Sequence, residues 1–251
     1  MGFIMNLLGF GQDDKGKQAV KDTRTALEQA NDPKNAEEAN GAVAKLVQNL
    51  LDVGIDGRGP FDSATEVAES ELRKAGGNAD KAIDEIVSSH LKLAGASGFV
   101  TNLGGFATMV VALPANVFGF YVLATRMTAA IAHVRGHDLK VAQVRSAVLL
   151  SLVGADAQDL LAKAGMVAPT GRLASFATQR LSGPALMVVN KAVGFRILRQ
   201  AGKGVFTRFG KAVPIVGGVV GAGLDVYLLK QLAEHVRTQF PAEQTSAPRS
   251  S

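Results

Sequence analysis

The sequence predicts an all-α protein, a multi-helix globular bundle with two central glycine-rich apolar blocks. Apolar residues recur at helical spacing along most of the 251-residue chain, and helix-starting and helix-ending residues separate the segments. Strand patterns are weak. One stretch, GPALMVVNKAV at residues 183–193, has the valine content of a short strand, but it stands among helical patterns.

The first part of the chain is predicted to form a series of charged helices. Residues 16–30 form one helix, and Asp32 followed by proline begins a second one with a stripe of apolar residues. A loop at 54–60, GIDGRGP, is expected to end it. A capping box at Ser63 starts the next helix, which is expected to end at the glycine pair 76–77.

The first glycine-rich apolar block follows a helix that begins at Asn78 or Asp80. The block covers residues 93–125 and is divided by Pro114, since an internal proline removes a backbone donor and clashes with the preceding turn. We expect the helix that starts there to stop at Gly136.

The remaining segments lead to the second apolar block. Asp138 is expected to cap the next helix, and residues 164–172 form a loop. Two helices are predicted near 173–181 and 184–201. The second apolar block, at 211–236, is the last helical segment.

Three regions are expected along the chain. Residues 1–15 fit neither a secretory signal nor a myristoylation pattern. They are expected to be either an interfacial anchor or a first helical turn packed on the core. Residues 16–240 form a single helical domain, and residues 241–251 form a disordered tail. The absence of cysteine excludes disulfides, thiolate metal sites and a cysteine nucleophile, and it fits a reducing cytoplasm.

Charge is divided unevenly along the chain. The first 100 residues hold 16 acidic and 11 basic side chains, whereas residues 101–251 hold 6 acidic and 16 basic ones. No acidic residue occurs between Asp159 and Asp225. A basic, apolar half joined to an acidic half predicts an anionic partner, and attraction between the two halves is the alternative.

Motifs for nucleotide or metal chemistry are incomplete. Residues 11–18, GQDDKGKQ, lack the serine or threonine that a P-loop places after its lysine, and their two aspartates would repel phosphate. His133 and His137 have the spacing of a metal-binding pair, but Gly136 between them predicts a helix end. We therefore predict no metal, no cofactor and no recognisable catalytic residue.

Residues 194–211, GFRILRQAGKGVFTRFGK, place apolar side chains on one side of a helix and basic ones on the other. This pattern is typical of a membrane-surface helix, and an ordinary helix packed on the core is the alternative. The cations that we expect at lipid headgroups are Arg126, Arg196, Arg199, Lys203, Arg208 and Lys211.

Glycines at close spacing predict tight helix packing within both apolar blocks. The stretch from Gly104 to Met127 is uncharged until Arg126 and long enough to span a bilayer. Pro114 and Asn116 divide it, which favours two packed helices over one span. The glycines predicted to pack helices are Gly104, Gly105, Gly217 and Gly221.

The two blocks together resemble the EcsC protein family. In residues 98–138 a glycine-rich apolar helix is followed by Leu-Pro and then by a second helix, which has Arg126 at its centre and ends at Gly-His-Asp. In residues 211–240 a proline precedes a glycine-rich helix whose later part is charged. The family pattern commonly has Asp before the Leu-Pro, where this chain has Ala112, so a polar role there is absent or has moved to Asn116. The resemblance implies a bacterial, largely helical protein of a family named for a gene beside an ABC-transporter operon, and it supplies no catalytic residues.

These features predict a non-enzymatic protein that is peripheral at the inner face of the cytoplasmic membrane. Its partner would be an anionic lipid surface or a membrane protein, in a transport- or secretion-linked role. A soluble helical protein with an apolar, lipid-like ligand is one alternative, and a lipid-acting hydrolase with an unrecognised site is another. Nucleic acid is not expected as a partner, because tryptophan is absent and the basic residues alternate with aliphatic ones.

Overall fold

The computed structural model describes residues 36–58, 61–95, 115–154, 156–163, 166, 172–209 and 217–242. In these residues the chain forms nine α-helices and one π-helical segment and contains no strand, which confirms the all-α class. The α-helices are α1 (Ala36–Asn49), α2 (Ala64–Lys74), α3 (Ala79–Gly95), α4 (Ala115–Val134), α5 (Ala142–Leu152), α6 (Asp156–Lys163), α7 (Leu173–Arg180), α8 (Gly183–Phe209) and α9 (Gly217–Gln239). The π-helical segment, Leu50–Ile55, continues directly from α1.

Several predicted regions lie outside the described residues. They are the interfacial segment 1–15, the helix 16–30, the helix start at Asp32, the first parts of both glycine-rich blocks, and most of the tail 241–251.

The predicted helix boundaries hold where local capping chemistry decides them. The hydroxyl of Ser63 accepts a hydrogen bond from the backbone N–H of Glu66 at 3.1 Å, and the Glu66 carboxylate accepts one from the N–H of Ser63 at 2.8 Å. This pair is the capping box of α2. Asn78 accepts a hydrogen bond from the N–H of Lys81 at 2.9 Å at the start of α3. Gly136, with φ at +94°, follows the end of α4 in a conformation that favours glycine.

Other boundaries differ from the sequence predictions. The helix expected to break at Gly54 continues as the π-helical segment to Ile55, because burial of this apolar segment outweighs the low helix propensity of glycine. Asp138 does not cap a helix: its carboxylate accepts the N–H of Lys140 at 2.9 Å in a turn, and α5 begins at Ala142.

The C-terminal half also contains more helix than predicted. Residues 156–163 form a separate helix, α6, after Gly154 turns the chain with φ at +55°. The predicted helix 184–201 extends as α8 to Phe209. The glycines at 202 and 204 each cost about 1 kcal/mol relative to alanine in a helix, and α8 continues through both.

Helix α4 lies at the centre of the packing. It contacts α2, α3, α5, α9 and the π-helical segment, and its residues 121–132 are all buried. At the contact with the π-helical segment, a methyl group added to Gly54 would lie 2.7 Å from Cβ of Thr125. The two elements can approach this closely only because residue 54 has no side chain.

Helix α3 packs against α2, α4 and α9. Arg135, just after α4, binds Asp80 at the start of α3 at 2.9 Å, and Arg237 of α9 binds Asp84 at 2.6 Å. The ends of α4 and α9 thus lie beside the start of α3, so both helices run antiparallel to it. These pairs also join the acidic first part of the chain to its basic last part.

Candidate functional site

Helix α8 has a buried face that fixes its position. Val189, Val193 and Ile197 recur every four residues and are almost fully buried, as expected for the core-facing stripe of a helix that contacts α1 and α5. At Gly194 an added methyl group would lie 2.7 Å from Cγ1 of Val43, so the absence of a side chain lets α1 approach closely. The opposite face of α8 is held towards solvent.

That opposite face carries apolar side chains. Met187 is 75% exposed and Val188 is 56% exposed, and Lys191, exposed as well, follows them by one helical turn. Residues three and four apart on a helix are neighbours, so the three side chains share one surface. We call Met187, Val188 and Lys191 the α8 patch.

Exposed cations accompany this patch. Arg172 and Arg180 flank α7, and Arg180 ends that helix three residues before α8 begins. Arg172, Arg180 and Lys191 form no ion pair with any other residue that the structure describes. Their charge is therefore available to an external anion.

Other cations of the basic half are neutralised within the protein. Besides the pairs made by Arg135 and Arg237, Arg145 of α5 binds both carboxylate oxygens of Asp56, at 2.7 Å and 2.6 Å. Attraction between the two halves, the alternative to an external partner, thus accounts for these three arginines. It does not account for the exposed cations of α7 and α8.

The cations predicted at lipid headgroups lie in different surroundings. Arg126 is buried in the core, with 6% of its surface exposed, and in this arrangement it does not reach a surface. Arg196 is half-buried and interacts within the protein. Arg199, Lys203 and Arg208 belong to α8, but their side chains lie outside the described part of the structure, and Lys211 lies outside it altogether.

Of the glycines predicted to pack helices, Gly217 and Gly221 lie in the first turns of α9. Gly104 and Gly105 lie outside the described residues. Close helix approaches in the described structure are made by Gly54, which was expected in a loop, and by Gly194, which stands alone in a predicted helix and so gave no packing signal.

The two histidines at metal-binding spacing have separate environments. His133 lies on α4 with Nε2 at 4.0 Å from a carboxylate oxygen of Glu69. His137, beyond the turn at Gly136, is buried against the ring of Phe240. In the residues that the structure describes, no group of three or more potential metal ligands is found.

Comparison with known proteins places the chain in a family. The EcsC protein family model matches residues 12–240, which is most of the 251-residue chain. The chain belongs to the EcsC protein family. No curated protein and no solved structure matches it significantly. The EcsC match includes every helix described above.

Among the helices that the structure describes in this EcsC protein, one has the length and apolar composition needed to cross a bilayer. It is α4, over Val117–Val134, and 78% of that stretch is buried inside the protein. A largely buried apolar helix is equally typical of the core of a water-soluble domain, so composition alone is weak evidence for a span.

Sequence reasoning missed the apolar component of the α8 patch. Met187 and Val188 lie in GPALMVVNKAV, where five consecutive apolar residues conceal which side chains face the core. The sequence did identify Lys191 and Arg180 as cations in the segment that has no acidic residue. Their exposure depends on how α8 packs against α1 and α5, and this cannot be obtained from charge alone.

Proposed function

We propose that this EcsC protein is a non-enzymatic peripheral membrane protein that docks on anionic lipid through α7 and α8. The observation that supports it best is the α8 patch, in which two exposed apolar side chains share a surface with an exposed lysine that pairs with no acidic residue in the described part of the chain. Interfacial helices combine these two features, an apolar group that enters the headgroup region and a cation that contacts lipid phosphate. The proposed location is the inner face of the cytoplasmic membrane.

The distribution of charge favours docking through α7 and α8 over docking through the first helices. The acidic side chains of the described structure concentrate on the first helices, which an anionic surface would repel, whereas the sequence has no acidic residue at 160–224. Each Lys or Arg near an anionic surface contributes about 1 kcal/mol. The three exposed cations Arg172, Arg180 and Lys191 would together contribute about 3 kcal/mol, which salt should weaken by screening.

The apolar side chains add a contribution that salt does not screen. Full burial of a side chain the size of valine or methionine contributes about 1.5–3 kcal/mol. Met187 is three-quarters exposed, so much of its surface remains to be buried on docking. We therefore expect binding to depend on both components.

Liposome flotation tests the proposal. The full chain should float with vesicles of phosphatidylcholine containing phosphatidylglycerol and remain unbound with phosphatidylcholine alone. Arg180→Glu combined with Lys191→Glu should weaken binding by roughly 30-fold or more, since at least two contributions of about 1 kcal/mol are lost. Met187→Ser should weaken binding at every salt concentration, because its contribution is not electrostatic.

Lys81→Glu is the matched control, because Lys81 is exposed on α3, in the acidic part of the fold. It should float as the wild type does. Equal binding of the wild type to neutral and anionic vesicles, or binding to neither, would contradict the proposal. An unbound protein that carries co-purifying lipid would instead support a soluble lipid-binding bundle.

A further inference from the structure

The core contains a buried guanidinium that forms no ion pair with any residue that the structure describes. Arg126 lies at the middle of α4 and is 94% buried, and its Nε has no hydrogen-bond partner. Among the residues that the structure describes, no carboxylate oxygen lies within 4 Å of it. Burial lowers the pKa of Arg126, but an arginine side chain stays charged in proteins. An unpaired charge at such a position strongly disfavours the folded state.

The groups around Arg126 compensate only part of this unfavourable burial. Its guanidinium carbon lies 5.3 Å from the centre of the Phe61 ring, a distance at which a cation is attracted to the aromatic face. The charge of Asp62, which follows Phe61 in the chain, raises the pKa of Arg126, but the Asp62 side chain is exposed to solvent. The guanidinium thus adjoins the segment 61–62, of which Phe61 is partly exposed and Asp62 is exposed to solvent.

A second buried polar group lies on α3, which packs against α4; the Asp80–Arg135 ion pair sets an antiparallel register that places residues 90 and 126 at about the same level. His90 of α3 is 98% buried, and its Nδ1 is 2.8 Å from the backbone carbonyl oxygen of Ile86. A carbonyl oxygen only accepts hydrogen bonds, so Nδ1 carries the proton of the neutral ring and Nε2 is left as an acceptor. Nε2 is buried and has no hydrogen-bond partner among the residues that the structure describes. The charge of Arg126 reaches His90, since it lowers the pKa of the imidazole in addition to the larger effect of burial.

These two groups are complementary to one class of ligand. The guanidinium requires an anionic oxygen, and Nε2 requires a hydrogen-bond donor. A singly protonated phosphate group offers both, because it carries charged oxygens and a hydroxyl. A carboxylate would satisfy only Arg126, and a phosphodiester has no hydroxyl for His90.

We propose that Arg126 and His90 form an internal binding site for one phosphate group with a free hydroxyl, as in inorganic phosphate or a phosphate monoester. The ligand would enter past Phe61 and supply the counter-ion that the described core lacks. This site is separate from the α8 patch, so either proposal can fail without the other.

Thermal unfolding of the full chain tests the site, with inorganic phosphate added to a phosphate-free buffer. A ligand that binds only the folded state raises Tm with the logarithm of its concentration. The wild type should show this rise. Arg126→Met should abolish it, and without phosphate it should unfold at or above the wild-type Tm, because a buried unpaired charge has been removed.

Arg135→Met is the matched control, since it removes an arginine adjoining the same helix that is already paired with Asp80. It should lower Tm and keep the phosphate-dependent rise. His90→Asn can still donate to the Ile86 carbonyl but lacks Nε2, and we expect it to bind phosphate roughly 10-fold more weakly, as for the loss of one hydrogen bond. Line broadening in phosphorus NMR of the wild type provides a measurement that needs no variant.

Vesicles distinguish free phosphate from a lipid headgroup. Phosphatidic acid has a phosphate monoester and phosphatidylglycerol a diester, so a lipid ligand would give Arg126-dependent flotation with the former in excess of the latter. A response to inorganic phosphate would identify a soluble ligand. No response to either, a response retained by Arg126→Met, or a lower Tm of Arg126→Met without phosphate would each overturn the proposal.

Discussion

Lowering the pH should destabilise the protein through His90. Burial, assisted by the charge of Arg126, lowers the pKa of this imidazole from 6.5 to about 4. Below pH 6.5 the unfolded chain therefore binds a proton that the folded protein excludes. At about 1.36 kcal/mol per pKa unit, the stabilisation that His90 contributes at neutral pH is about 3 kcal/mol. It should be complete above pH 6.5 and be lost as the pH falls towards 4.

Urea denaturation between pH 7.5 and 4 measures this contribution. Carboxylates and other histidines also titrate in this range, so the informative quantity is the difference between the wild type and His90→Asn at each pH. Asn has nearly the same helix propensity as His and does not titrate. The free energies of unfolding should run parallel above pH 6.5 and converge by about 3 kcal/mol below it. Curves that stay parallel to pH 4 would refute a neutral, buried His90.

Three further predictions, the first with a matched control, concern the packing, the capping and an ion pair. Gly54→Ala would place a methyl group 2.7 Å from Cβ of Thr125 and should lower the free energy of unfolding by about 1–3 kcal/mol. Gly41→Ala is the control, because nothing lies within 4 Å of the added methyl group, and it should raise the free energy of unfolding by up to about 1 kcal/mol. Equal effects of the two substitutions would contradict the close approach at Gly54. Ser63→Ala removes the cap of α2 and should lower Tm by about 2–4 °C in calorimetry, for a loss of about 1 kcal/mol. Asp56→Asn breaks the two-bond contact with α5 and should cost about 1 kcal/mol in urea denaturation, an effect that 1 M salt reduces; a salt-independent loss would argue against an ionic contribution.

Local sequence signals predicted the fold class and several helix boundaries. The capping box at Ser63 and the helix end before Gly136 depend on side-chain and backbone chemistry within a few residues, and both appear as expected. The family resemblance was confirmed as well, because its pattern rests on the order of segments.

Boundaries that depend on distant contacts were predicted wrongly. The π-helical segment continues through Gly54 because Thr125, 71 positions away in the chain, packs on it. The helices predicted separately at 184–201 and 194–211 form one continuous helix, α8, which ends at Phe209. Propensity describes what a segment favours alone, and tertiary packing overrides it here.

The burial and the ion pairs of individual cations were the features that the sequence predicted least well. Arg126, the first charge in a long uncharged stretch, was expected at lipid headgroups, but the structure places it in the core. Its isolation in that stretch was a usable signal, since a helix buried on all sides leaves a lone arginine no route to water. Pairing it with His90 required the antiparallel arrangement of α3 and α4, which the sequence does not specify.

The contact between α9 and α3 also sets when the protein can finish folding during synthesis. Arg237 and Asp84 are 153 residues apart in the chain. At about 5–20 residues per second, a ribosome needs roughly 8–30 s to synthesise the stretch between them. Throughout that time the side of α3 that α9 will cover lacks this cover, so the apolar surface there stays open to other contacts until α9 has emerged.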